Sequence, residues 1–137
     1  MNKTEAKKLL AMIKVAYPIA YKDLSAPMAE ATANLWQTSF GDIPYDIIAL
    51  AFSAFVQTSK KPPTIADMCE ALNDLHTEAQ GRIAEARGLG GFSDETKLAR
   101  LNYIVDNTTR FSDYQKRNVA LDKALNTPEK AGGLLSD

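Results

Sequence analysis

The sequence predicts an all-α protein, and three observations carry that reading. Apolar residues recur at three-and-four spacing through most of the chain, Pro and Gly fall at intervals suited to short helices, and no alternating apolar-polar tract is long enough for a strand. With 137 residues and 45% apolar content, the chain suits a small N-terminal four-helix domain followed by a glycine hinge and two short amphipathic helices. No internal repeat or heptad run is found.

In the first helix, Ala6, Leu9, Leu10, Ile13, Ala16 and Tyr17 form one stripe, Lys3, Lys7, Lys8 and Lys14 largely take the other side, and Pro18 ends it. The second starts near Pro27, stops at Gly41, and carries Met28, Ala31, Leu35 and Trp36, a stripe expected to meet the first helix. Asp42-Ile43-Pro44 restarts the chain, and Ile47, Ile48, Ala51, Phe52 and Phe55 make the most apolar helix, expected at the centre of the bundle. Pro62-Pro63 excludes a continuous helix, while Thr64, three residues before Asp67, provides a cap for a fourth helix carrying Ile65, Met68, Cys69, Leu72 and Leu75. Beyond Leu75 the pattern turns polar, although Glu78 and Arg82 are spaced for an ion pair.

Gly88-Leu89-Gly90-Gly91 reads as the boundary, giving a helical unit over 1–87, a linker over 88–92, a C-terminal helical region over 93–127 and a flexible tail over 128–137. Within the C-terminal region, Ser93-Asp94-Glu95 opens a helix with Leu98, Leu101, Ile104 and Val105. Ser112 and Gln115 form a capping box for another with Tyr114, Leu121 and Leu125.

Composition argues against most chemistry. One Cys and one His, Cys69 and His76, cannot make a zinc site or a Cys-His or Ser-His-Asp constellation; Cys69 reads as a small core residue and His76 as a surface or boundary residue. The glycine run lacks a P-loop ending, and Asp42 with Asp46 or Asp67 with Glu70 sit at helix starts, where the dipole accounts for them. No catalytic residue, cofactor or metal is therefore expected, and the chain reads as a non-enzyme. The lone cysteine, the absence of a leader-like N-terminal segment and the short apolar runs lead to an expected cytoplasmic location with no direct membrane contact.

Net charge is −1, yet charge is segregated. Through Lys22 there are five Lys against one Glu, from Asp23 to Thr58 four acids and no base, and from Pro62 to Thr96 seven acids against two Arg. From Lys97 onward seven bases outnumber five acids, with Arg110, Lys116 and Arg117 close together. This is too sparse for a nucleic-acid recognition helix, so no direct DNA binding is expected. Lys60 and Lys61 read as part of a solvated loop. Trp36, Phe40, Tyr45, Phe52 and Phe55 read as core.

The order of Lys7 to Tyr17, Leu35-Trp36, Ile43-Pro44-Tyr45, Ala49 to Thr58 and Pro62-Pro63-Thr64-Ile65-Ala66-Asp67 resembles the N-terminal domain of the phage replicative helicase loader/inhibitor family. The resemblance covers about the first half of the chain. It implies a phage DNA replication accessory protein that binds a DnaB-type hexameric replicative helicase, inhibits it in solution and helps load it at an origin, with an origin-binding initiator as a further partner. In that family the helicase is engaged beyond the N-terminal domain. The implied contact residues here are Leu98, Leu101, Ile104, Arg110, Phe111, Tyr114, Arg117, Leu121 and Leu125. The residues alone leave two alternatives, a small helical DNA-binding adaptor or regulator and a self-assembling helical structural protein.

Overall fold

A computed structural model describes residues 1–91 and 94–112. Over these residues the chain is all-helical: α1 (Lys3–Ala16), α2 (Ala26–Phe40), α3 (Tyr45–Val56), α4 (Ile65–Gly88) and α5 (Glu95–Thr108), closed by a single 3-10 turn at Thr109–Phe111. The expected helix from Ser112 onward and the tail lie outside the described residues.

Local chemistry sets the helix starts. Asn2 and Glu5 form a reciprocal capping box on α1, Ser25 accepts from the Met28 N–H at the start of α2, and Thr64 and Asp67 form the second box on α4. In that box the Thr64 Oγ1 accepts from Asp67 N–H at 3.0 Å while the Asp67 carboxylate accepts from Thr64 N–H at 2.9 Å. Asp94 caps α5 through the Thr96 N–H, one residue later than the start expected from the sequence.

α4 is the spine. It packs against α3, α5 and the 3-10 turn, while α1 lies on α2 and α3. The helix runs more than three turns beyond Leu75, because His76, Ala79 and Ile83 continue its buried face even though their neighbours are polar. The glycine run lies at the end of this helix. Gly88 is its last residue, Gly91 N–H donates to Ala86 carbonyl at 2.8 Å, and Gly90 and Gly91 take φ values of +99° and +102°, where a side chain is disfavoured. α5 then packs back on α4, so Ile104, Thr108 and Phe111 are buried against the rest of the chain.

Leu9, Ile13, Phe40, Ile43, Ile47, Ile48, Met68, Leu72 and Phe111 are buried members of one continuous core. Trp36 and Phe52 join them, whereas Tyr45 and Phe55 are only half-buried. The inward face of α2 is Ala33, Trp36 and Phe40. Met28 and Leu35, expected to meet α1, are instead 56% and 58% exposed because they lie roughly a third of a turn around the helix from that face.

Replacing Thr64 by Ala should lower stability by about 1 kcal/mol through loss of the cap. Gly90→Ala should cost roughly 1–2 kcal/mol from backbone conformation alone, since a Cβ there meets no neighbouring atom within 4 Å. Urea unfolding of both variants checks these values.

Candidate partner-binding surfaces

The C-terminal end of the described chain is fastened to the junction between α2 and α3. Arg110 donates from Nε and one terminal nitrogen to the two Asp42 carboxylate oxygens at 2.7 and 2.9 Å, and also to the Ser39 carbonyl at 2.6 Å. Its guanidinium lies 4.1 Å from the centre of the Phe111 ring. Phe111 sits 6.3 Å from Phe40, which in turn sits 5.7 Å from Trp36. A charge-assisted fork on the outside and an aromatic row on the inside thus tie the 3-10 turn to that junction. The Arg110 guanidinium holds the Asp42 carboxyl below its usual value.

A buried polar pair fixes α5 along α4. His76 Nδ1 lies 2.9 Å from Thr108 Oγ1, and the same hydroxyl is 2.6 Å from the Ile104 carbonyl. The hydroxyl has one proton. With that proton donated to the Ile104 carbonyl, His76 must donate from Nδ1. His76 is therefore a buried structural residue, not the surface or boundary residue expected from the sequence, and its partner lies 32 positions away. Cys69 is half-buried beside the core. Burial pushes its thiol up, with Arg110 opposing, so the nucleophilic thiolate is disfavoured.

Of the residues implied to contact a helicase, Ile104 and Phe111 are buried within the fold, Leu98 and Leu101 are half-buried, and Arg110 is engaged by Asp42 and Ser39. Tyr114, Arg117, Leu121 and Leu125 lie outside the described residues. The fold thus makes Ile104, Arg110 and Phe111 an anchor for the end of the described chain.

Two further surfaces are concave and apolar. One groove of about 290 Å³ runs between α3 and α4 over Ala54, Phe55, Ala71 and Leu75, with Asp67, Glu70, Asp74 and Glu78 along its edge. It continues toward α5 through a hollow of about 240 Å³ that includes Leu50 and Leu101. On another part of the surface, Ile19, 84% exposed, lies beside the Lys60-Lys61-Pro62 loop, and Val15, 82% exposed, lines an adjoining hollow over Met12 and Phe52. That second surface carries no acidic lining residue. Sequence reasoning missed it because Val15 lies off the core stripe of α1 and Ile19 lies in the turn beyond its end.

Among the described residues, no single helix is long and apolar enough to cross a membrane. Among the described residues the chain is thus an all-helical bundle with apolar grooves on its surface. The chain belongs to the family of the N-terminal domain of phage gene 39 protein, whose sequence model matches residues 1–69, half of the chain. The gene 39 protein for which the family is named is a helicase-binding inhibitor/loader. The match spans α1 to α3 and the first turn of α4, so the Thr64–Asp67 capping box and the Val15–Ile19 surface fall within it, and α5 and every implied contact residue fall beyond it. Comparison with curated proteins and with solved structures returns no match.

The folded-state value of Asp42 lies below that of the unfolded chain, so the Asp42–Arg110 fork contributes fully above about pH 4 and fades as pH falls through the folded value. The stability difference between the parent and Asp42→Asn should be constant from about pH 5 to 8 and shrink in acid. Urea midpoints measured across pH check this. Phe111→Ala should cost about 3–5 kcal/mol, which calorimetry would register as a large drop in Tm with helical content largely kept.

Proposed function

We propose that this chain is a phage DNA replication accessory protein that binds a DnaB-type hexameric helicase, holds it inactive in the host cytoplasm and helps deliver it to an origin. It acts by binding and not by catalysis. The observation that carries this reading is the family match over residues 1–69, which places the chain with a phage helicase-associated protein.

The geometry supports a division of labour. In this reading the helicase contact is formed by Tyr114, Arg117, Leu121 and Leu125, which in sequence closely follow the Phe111 and Arg110 anchor. Helix-in-groove recognition suits that spacing of apolar residues. Occupancy of a surface between helicase subunits restrains the motions required for ATP-driven translocation. An origin-binding initiator that competes for the same contact shifts the population toward released helicase.

The expected outcome is that the full chain co-elutes with a DnaB-type helicase and alters its ATPase activity. A Leu121→Ala/Leu125→Ala double variant keeps its helicity and loses both effects. The truncation that separates the contact from the fold ends after Ser112, because ending at Gly88 would also strip Ile104 and Phe111 from the core. Unchanged helicase binding by the double variant would exclude those residues as the contact.

A further inference from the structure

The surface around Ile19 has no role in the reading above, and its construction is specific. Three hollows of about 380, 420 and 390 Å³ join in series, the first two sharing Ala16 and the last two sharing Ala20 and Pro62. Their exposed aliphatic side chains are Val15, Ile19 and Leu35, each more than half exposed. Scattered single apolar residues on a surface need no explanation, whereas a contiguous concave run of them marks an interaction site.

This surface is held in shape. The Tyr17 hydroxyl donates to the Ser59 carbonyl at 2.8 Å, fastening the end of α1 to the loop that follows α3. The Ser59 hydroxyl donates to the Lys61 carbonyl at 2.8 Å and accepts from the Lys61 N–H at 3.3 Å, which fixes the backbone carrying the two lysines. Pro63 is buried behind them, and Tyr21 sits at φ +59°, a left-handed conformation costly for a residue with a side chain. The ordering cost that docking usually incurs is thus reduced in advance.

Charge selects the occupant. Lys60 and Lys61 line the central hollow, and Lys14 and Lys22 lie close in sequence to Val15 and Ile19. None of these four lysines forms an ion pair among the described residues, in contrast to Lys3 and Lys7, which both pair with Glu30. Acidic residues are absent from the lining of all three hollows. A duplex would use the lysines and leave the hollows empty, and it demands a denser basic array.

We propose that this face is a docking surface for a second protein partner, recognised through an acidic segment whose apolar side chains fill the hollows at Val15, Ile19 and Leu35 while its carboxylates meet Lys60 and Lys61.

The test is selection of a random-peptide phage-display library on the immobilised full chain, followed by fluorescence anisotropy of the enriched peptides in synthetic form. Enriched sequences should combine Asp or Glu with Leu, Ile or Phe. Their affinity should fall about tenfold or more, roughly 1.4 kcal/mol, on Ile19→Asp and on Lys60→Glu/Lys61→Glu, with circular dichroism and Tm unchanged in both variants. Failure to enrich any such peptide, or affinity indifferent to both variants, overturns the proposal. Duplex DNA or phosphatidylserine vesicles binding the full chain in preference to the enriched peptides, with loss in the same variants, overturns it as well.

Discussion

The fold depends on burying Phe40, because that ring stands where the end of α2, the α2–α3 junction and the 3-10 turn after α5 must all meet. Trp36 approaches it from its own helix, and Phe111 approaches from the other end of the described chain. The Trp36–Phe40 contact is local to α2, but Phe111 comes from too far along the chain to be placed by local propensity. Its position follows from α4, whose buried face holds α3 and α5 in position. The Asp42–Arg110 fork then seals the outside of the same junction, where solvent screening limits its strength and its geometric role dominates.

Helix starts are the most legible part of the sequence, because a capping side chain and the N–H that donates to it lie within three residues of each other. Thr64 acts this way, and the Pro62-Pro63 break falls where two missing backbone donors require it. Residues that depend on distant partners are not legible. His76 is polar and looks superficial until Thr108, far along the chain, supplies its hydrogen bond. The glycine run reads as a hinge because three glycines in four residues permit many conformations; the particular positive-φ turn is selected by α5 packing on α4.

Docking surfaces are harder still to read, for a related reason. Helical spacing alone assigns apolar residues inward, yet Met28 and Leu35 recur seven positions apart on the outer side of α2, and Val15 and Ile19 lie outside the core stripe of α1. Where apolar residues depart from the inward stripe, the conflict between local pattern and packing points to function. Lys60 and Lys61, which read as a solvated loop, acquire meaning only when Tyr17 draws their loop against the end of α1.

A net charge of −1 conceals this arrangement. The described bundle sets Asp67, Glu70, Asp74 and Glu78 along one groove and Lys60 and Lys61 beside another. A molecule with separated charges of both signs carries an electric dipole even when it is almost neutral, and a dipole experiences torque in the field of a large charged assembly. For such a molecule the rate of encounter with a charged partner depends on orientation and on ionic strength, although the overall charge predicts almost no such dependence.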